Sequence, residues 1–432
     1  MNILNLFLVI FFPFSLLKLA ATIFYGWNSF GGEFQANFPF YLFLKDYNLP
    51  LYDSLNNYSW GGPGFSKTWF YGPIHHLWLF PLTLFFHSMT PFYRLLLIFY
   101  ICLFICCVVL IFNSIKKDNS VLFFIAYLTV VFGSFQLMEN LRQRNVELLE
   151  FFLIGIAYLF LQRKRDFAGG ALLCLAAMAK LFPFIFLPYL IIKKRFKAVV
   201  GFLITFIIIA IITQMTLRWQ NWQLLNPDCA KDHGFPMVDT LLGRNCFQPV
   251  QHTACSLPTL VLMFFAKIDM SRYMPIITYR IDNFFIPNMI YLLLAILIAA
   301  LTFYLFYRTG KKADLFQEFS LICLTMLLVS SHCNPHYYIF TIFAYISILK
   351  TYSYDLDKYE LSLFSKIFMF GVYILSLFLM GNLIPFQLYE KLLPLKNIAF
   401  HYFVTYNLFV FGTVILWCIM MWIYYMNYRI NR

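Results

Sequence analysis

Three carboxylates follow the first long apolar run of the chain, and one of them is well placed to remove a proton. Glu33 lies in FGGEFQANFPFYLF, close after the run ILNLFLVIFFPFSLLKLAATIF, and Asp46 and Asp53 come later in the same stretch. A general base needs a carboxylate within hydrogen-bond reach of the proton that it takes, so all three qualify by type. Glu33 is closest to the apolar run, where a rigid element would hold it. The alternative is a solvated loop acid or a helix N-cap.

A second polar segment, ENLRQRNVELLE, carries two arginines. The guanidinium groups of Arg142 and Arg144 could bind a phosphate bidentately. The alternative is an internal ion pair with one of the glutamates that follow. The same segment also carries the polar side chains of Gln143, Asn145, Glu147 and Glu150.

Lysine and histidine side chains add further candidates. Lys180 lies in AAMAKLFP between two apolar stretches, and an ammonium near membrane depth is costly enough to indicate function, with snorkelling to the interface as the alternative. Lys18, inside the first apolar run, is explained more easily by snorkelling. VSSHCNPHYYIF carries His332 and His336, which could hydrogen-bond a phosphate or transfer a proton, or simply make structural hydrogen bonds.

The whole composition indicates that these side chains are positioned by membrane helices. The chain has 432 residues, of which 62% are hydrophobic and 12% charged, and its mean hydropathy is +0.73. Continuous apolar runs, rather than short alternating segments, predict an all-α polytopic membrane protein and not a barrel. The net charge of +13 comes largely from short basic clusters between apolar runs, which favours membrane topology over nucleic-acid binding and is compatible with an anionic lipid substrate.

The positions of the basic clusters predict the topology. Placing Lys116–Lys117, Arg163–Arg165, Lys193–Lys197 and Arg308–Lys312 in the cytoplasm puts the turn around Arg142 on the outer side. The stretch between the second and third clusters is too short for two ordinary spans, and one span would put a basic cluster outside.

We therefore predict two short helices broken at AKLFP, because Pro183 interrupts a helix. About twelve transmembrane helices result, with large outer loops at residues 25–91 and 218–286. The first of these loops is expected to contain interfacial helices. Since loops on a rigid scaffold commonly carry function, the chemistry is expected at the outer face.

Four stretches of the sequence resemble glycosyltransferases of the GT-C type. They are GEF with the following YLFLKDYNLPLYD and WFYGPIHHLWLFPL, then RQRN, then FAGGALLCLAAMAKLFPFIFLPYLIIKKRFK, and finally SSHCNPHYYIF. In order and approximate spacing they are most similar to glycosyltransferase family 87, the polyprenol-phosphate-mannose-dependent mannosyltransferases. Each motif is short, so the resemblance depends on their common order.

The resemblance implies an inverting transfer of mannose or another hexose from a polyprenyl phosphate to a glycolipid or lipid-linked glycan. One membrane domain over residues 1–432 would carry it, with loop 25–91 catalytic and loop 218–286 covering donor or acceptor. Glu33 takes the position of the base. Lys180, His336, Arg142 and Arg144 are expected at the donor phosphate, and Gln143, Asn145, Asp53, Tyr71 and His332 at the substrates. No metal is demanded, because cationic side chains can take the phosphate charge, although a bound divalent ion is compatible.

The sequence departs from the family pattern at several of these positions. Glu33 replaces the more frequent Asp, Arg142 replaces the usual Gly before Gln143, and Pro335 precedes His336 where the family has a His pair. These departures bear on the sugar and the acceptor more than on the type of reaction. A bacterial inner membrane, with the active site outside, is the expected location.

Two other functions are compatible with the same sequence. A polysaccharide polymerase of the O-antigen type also has large outer loops, but it uses a diphosphate-linked oligosaccharide as donor. A flippase or other transporter of lipid-linked sugars would move its substrate without forming a glycosidic bond. Transporters often show inverted repeats and polar inter-helix paths, which are not evident in this sequence.

Overall fold

A computed structural model describes residues 3–28, 89–117, 120–216, 256–263, 267–268, 279–280, 285–310, 313–330, 333, 335–359, 361–382 and 398–430. Within this part of the chain the structure is helical apart from one antiparallel pair of two-residue strands, β1 (Lys267–Ile268) and β2 (Tyr279–Arg280). Glu33, Asp53, Tyr71, His332 and most of the two predicted outer loops lie outside the described residues.

The helices follow one another in the order α1 (Ile3–Asn28), α2 (Met89–Ile115), α3 (Val121–Gly133), α4 (Phe135–Gln143), α5 (Glu147–Gln162), α6 (Asp166–Ala179), α7 (Phe186–Ile192), α8 (Phe196–Thr216), α9 (Leu257–Met263), α10 (Phe285–Thr309), α11 (Leu315–Val329), α12 (Thr341–Tyr354), α13 (Leu363–Leu379) and α14 (Ile398–Ile430). Short 3-10 segments lie at Phe182–Ile185, Pro335–Phe340 and Leu356–Tyr359.

Five of the described helices, α1, α2, α8, α10 and α14, are long and apolar enough to cross a membrane. A sixth span results if α3 and α4, which are bent by 51° at the break between them, count as one. Shorter apolar helices include α6, α11 and α13. The chain is therefore an α-helical membrane protein, and the total of about twelve spans stays a prediction.

The chain folds into two compact units. The α5–α8 unit comprises residues Ile23–Cys107 and Asn140–Gln248, and the α10–α14 unit comprises Met1–Thr22, Val108–Glu139 and Pro249–Arg432. These units are defined by packing and not by function, so the single functional domain over residues 1–432 stays a prediction.

In the α5–α8 unit, helix α6 packs against both α5 and α8, and its contact with α8 is made at glycines. A Cβ atom added to Gly170 in α6 would lie 1.8 Å from the Ala198 carbonyl oxygen in α8. A Cβ atom on Gly201 in α8 would lie 2.1 Å from the Phe167 carbonyl oxygen in α6. The two backbones are therefore in direct contact, which only glycine permits at these positions.

The break after α6 confirms the predicted pair of short helices. The chain leaves α6 at Lys180, whose backbone is extended (φ −153°, ψ 146°), and resumes through the 3-10 segment that contains Pro183. Proline has no N–H to donate to the preceding turn, so α6 cannot continue through it.

The two basic turns of this unit lie at the same end of it. Arg195 Nη1 donates to Asp166 Oδ1 at 2.9 Å and to the Leu161 carbonyl at 3.1 Å, which joins the α7–α8 turn to the α5–α6 turn. The clusters Arg163–Arg165 and Lys193–Lys197 are therefore neighbours, as the charge pattern predicts.

In the α10–α14 unit, polar side chains join the helices within the apolar packing. Tyr424 in α14 donates a hydrogen bond to Glu318 in α11 at 2.6 Å, and its hydroxyl lies 2.6 Å from that of Thr309 in α10. Asp314 caps α11 by accepting from the Phe316 N–H at 2.8 Å. These bonds satisfy buried polar groups that would otherwise destabilise the bundle.

Lys18 connects three segments of the same unit. Its ammonium donates to the carbonyls of Gly133 and Gly381, each at 2.9 Å. Gly133 is the last residue of α3, and Gly381, with φ 69°, lies just beyond α13. A cation at helix C-termini interacts favourably with their dipoles. Lys18 therefore caps two helix ends rather than only extending towards the membrane surface.

Candidate active-site cluster

The α5–α8 unit brings two of the sequence candidates together, the turn before α5 and the break after α6. Because α5 and α6 are consecutive helices joined by a short turn, the first turn of α5 faces the end of α6. Val146 and Ala179 are both fully buried and pack together there. Beside them Lys180 forms an ion pair with Glu147, and the Lys180 and Glu147 side chains are only 7% and 0% exposed.

The ion pair follows from how each partner is held. Lys180 is the C-cap of α6, and its N–H still donates to the Ala176 carbonyl at 3.1 Å. Its ammonium lies 5.8 Å from the centre of the Phe182 ring. Glu147 is in the first turn of α5, where the helix dipole favours a carboxylate. The buried ammonium of Lys180 is therefore compensated by an acid of the same unit.

Arg144 fixes the turn itself. Its backbone is left-handed, with φ 55°, and the following N–H, that of Asn145, donates to the Asn140 carbonyl at 3.2 Å, closing α4. Its guanidinium donates to the carbonyls of Tyr93 at 3.3 Å, Arg142 at 3.1 Å and Gly26. The side chain is completely buried, whereas Arg142 is exposed. Arg144 therefore ties the turn to α1 and α2.

The amide and acid side chains around this turn differ in how well they are satisfied. Asn145 Nδ2 donates to Gln143 Oε1 at 3.3 Å. Asn145 Oδ1 and both carboxyl oxygens of Glu150 are buried without a hydrogen-bond partner in the described structure. The turn thus presents acceptor oxygens that its own donors do not satisfy.

His336 belongs to the α10–α14 unit. It lies in the 3-10 segment before α12, is 4% exposed, and its ring stands at 81° to that of Tyr337 with 4.5 Å between the centres. The other sequence candidates, Glu33, Asp53, Tyr71 and His332, lie outside the described residues.

Two features of the cluster differ from the sequence-based expectation. The sequence offers Glu147 as a possible partner of the arginines, whereas in the structure its carboxylate accepts a hydrogen bond from Lys180. The predicted short helices indicate this ion pair, since an acid at the start of α5 and a lysine at the end of α6 lie close together when the two helices are antiparallel neighbours. Tyr93 and Gly26 accept hydrogen bonds from Arg144 through their backbone carbonyls. No sequence pattern predicts these contacts, because every residue has a backbone carbonyl.

In the described segments, no three His, Cys, Asp or Glu side chains lie close enough together to hold a metal ion.

A family model described as glycosyltransferase family 87 matches residues 69–331, which is more than half of the chain. The match includes the Arg142–Asn145 turn and Lys180 and ends one residue before His332. No curated protein matches the chain significantly.

Proposed function

The chain belongs to glycosyltransferase family 87, and from this membership we propose that it transfers a hexose, such as mannose, from a polyprenyl-phosphate donor to a lipid-linked or envelope glycan. That the protein is a membrane glycosyltransferase follows from the family and the apolar helices. The donor, the acceptor and the reaction at the outer face of a bacterial inner membrane are the proposal. The family match is the observation that carries it.

In the proposed reaction one displacement suffices. Glu33 removes the proton from an acceptor hydroxyl as the hydroxyl oxygen forms a bond to the anomeric carbon. The bond from that carbon to the donor phosphate breaks, and its electron pair leaves with the phosphate oxygen. The configuration inverts, and no covalent enzyme intermediate is needed. Stabilisation of the leaving phosphate by cationic groups lowers the barrier.

The cationic groups of the turn are proposed to bind that phosphate. Lys180 is held beside the turn by its ion pair with Glu147. Arg142 belongs to the turn itself, and its side chain is exposed. Because the guanidinium of Arg144 donates to three carbonyls, its part in the proposal is to position the turn. For His336 the phosphate role is supported by the resemblance alone.

Substrate contacts are proposed for the polar side chains near these groups. Gln143 and Asn145 lie in the turn, and their mutual hydrogen bond orients both amides. Asp53, Tyr71 and His332 are assigned to the substrates by their positions in the family-like stretches. Amide and carboxylate groups suit sugar hydroxyls, which both donate and accept hydrogen bonds.

The test is a transfer assay with purified protein and a panel of polyprenyl-phosphate sugars, with a lipid-linked glycan as acceptor. We expect turnover with at least one monophosphate donor, and a loss of about 100- to 10,000-fold in Glu33→Gln, the range for removing a general base. Asp46→Asn, in the same stretch, is the matched control and should retain turnover. Undiminished turnover in Glu33→Gln would remove Glu33 as the base.

The same assay separates the two rival functions. A polymerase would use diphosphate-linked oligosaccharides and not the monophosphate donors. A transporter would form no glycosidic bond with any donor while still moving labelled lipid-linked sugar across proteoliposomes. Either result would overturn the proposed donor or the proposed reaction.

A further inference from the structure

The start of α5 contains acceptor oxygens that lack donors. Asn145 Oδ1 and the Oε1 and Oε2 atoms of Glu150 are buried without hydrogen-bond partners in the described structure. Both side chains are 0% exposed. A buried acceptor without a donor typically costs about 1–3 kcal/mol, and more when it is charged. Such groups call for a partner such as ordered water, an ion or a ligand, or for a part in a reaction.

Glu150 lies on the same face of α5 as the ion pair. Glu147 and Glu150 are three residues apart, which places them one above the other on a helix, about 4.5 Å apart along its axis. Because Glu147 is paired with Lys180, the Glu150 carboxyl lies only three residues along α5 from an ion pair, and the first-turn position in α5 favours both acids.

The chemistry of these atoms restricts what could bind them. A phosphate offers few hydrogen-bond donors to acceptor oxygens. The described residues contain no group of three metal ligands at this place. A polyol, in contrast, supplies several O–H donors, and a carboxylate can accept from two neighbouring hydroxyls.

We propose that Glu150 and Asn145 form a subsite for the hydroxyl groups of the sugar on the donor lipid. This inference rests on the proposed function, in which Lys180 binds the donor phosphate. One helical turn separates Glu147, the partner of Lys180, from Glu150, a separation comparable with the width of one hexose ring. A phosphate at Lys180 would therefore bring the hydroxyls of its own sugar towards Glu150. Because both side chains are completely buried, the proposal requires the turn to open when the donor binds.

The test compares the binding of sugar-bearing and sugar-free lipids to purified full-length protein. The probes are polyprenyl phosphates carrying mannose, glucose, galactose or N-acetylglucosamine, alongside polyprenyl phosphate itself, and the readout is the dissociation constant. We expect the wild type to bind at least one sugar-bearing lipid more tightly than the sugar-free lipid. In Glu150→Gln that ratio should fall by about 10- to 100-fold, the effect of losing hydrogen bonds to a charged group.

Two comparisons make the result specific. Glu139→Gln, an acid in α4 with no proposed sugar contact, should keep the wild-type ratio. Asn145→Leu should reduce the ratio. Asn145→Asp retains an acceptor oxygen and should reduce the ratio less. If Glu150→Gln does not fold, these two variants test the subsite in its place. Donors that lack one sugar hydroxyl should bind the wild type more weakly. For the hydroxyl that Glu150 binds, removing it should cause no further loss of affinity in Glu150→Gln.

Each outcome decides between the proposals. An unchanged ratio in both Glu150→Gln and Asn145→Leu overturns the subsite, as does equal binding of sugar-bearing and sugar-free lipids by the wild type. Sugar-dependent binding that needs Glu150, together with no turnover for any donor, would keep the subsite and remove the transferase proposal.

Discussion

At the scale of single residues, Lys180 has two roles: it forms a buried ion pair with Glu147 and is proposed to bind the donor phosphate. Replacing Lys180 by Met leaves Glu147 as a buried carboxylate without its partner, and breaking one side of a buried pair typically costs about 3–5 kcal/mol. We therefore expect Lys180→Met to lower the thermal unfolding midpoint of the purified protein and to abolish transfer. Fluorescence-detected unfolding and the transfer assay measure the two effects.

A double variant separates the two tasks of Lys180. Lys180→Met with Glu147→Leu removes both charges, and replacing a buried pair by apolar groups is often neutral for stability. The unfolding midpoint should recover most of its loss while transfer stays absent. Recovery of transfer in the double variant would mean that the Lys180 charge has no part in catalysis.

Asp355, just beyond α12, gives a residue-scale prediction for pH dependence. Its carboxylate is 2.6 Å from both Lys117 Nζ and Lys358 Nζ. Burial alone would raise the pKa of Asp355, but the hydrogen bonds and charges of the two lysines outweigh it and lower the pKa below its usual value. Since the folded state then favours the ionised acid, this stabilisation is present above the unfolded pKa of about 4 and is lost as the pH falls through the lower folded value.

We accordingly expect Asp355→Asn to lower the unfolding midpoint near pH 7. The difference from the wild type should shrink steadily below about pH 4, where the acid becomes protonated in the unfolded chain. A difference that is constant from pH 7 to pH 3 would show that the ion pairs do not stabilise the fold.

At the scale of elements, the contact between α6 and α8 depends on glycine. A methyl group at position 170 would have to displace the backbone around Ala198, because its Cβ would lie 1.8 Å from a carbonyl oxygen. Overpacking of this kind costs about 1–3 kcal/mol or more. We expect Gly170→Ala to lower the unfolding midpoint and, because α6 carries Lys180, to reduce transfer as well.

Gly371 in α13 is the matched control for this substitution. A Cβ atom there meets nothing within 4 Å. Since Ala is favoured over Gly in a helix by up to about 1 kcal/mol, Gly371→Ala should be neutral or slightly stabilising. Equal effects of the two substitutions would contradict the close packing of α6 and α8.

The same elements show which parts of the site could be read from the sequence. The break at Lys180 was predictable, because Pro183 and the short distance between two basic clusters both require it. The ends of α5 and α6 then bring Glu147 to Lys180 as a geometric consequence. The setting of Arg144 was not predictable, since its guanidinium is bound by carbonyls from separate segments and any residue supplies a carbonyl. Periodicity could not settle the span count, because several apolar helices are short.

At the scale of the whole molecule, the topology predicts which loops a reporter should find outside. The basic turns of the α5–α8 unit share one end, which agrees with a common cytoplasmic side. A periplasm-dependent reporter such as alkaline phosphatase fused after Pro227 should therefore be active, and one fused after Lys117 should be inactive, because basic clusters are retained inside. An inactive fusion after Pro227 would overturn the outer position of loop 218–286 and with it the outer active site.

The double cap formed by Lys18 has a consequence for how the protein is made. Its two acceptors lie 115 and 363 residues further along the chain. At synthesis rates of about 5–20 residues per second, the second acceptor emerges about 20–70 seconds after the lysine. During that interval α1 carries an ammonium that lacks one of its final acceptors. Helix α1 is thus synthesised long before Lys18 can reach its second acceptor, and a chain truncated before Gly381 never supplies that acceptor.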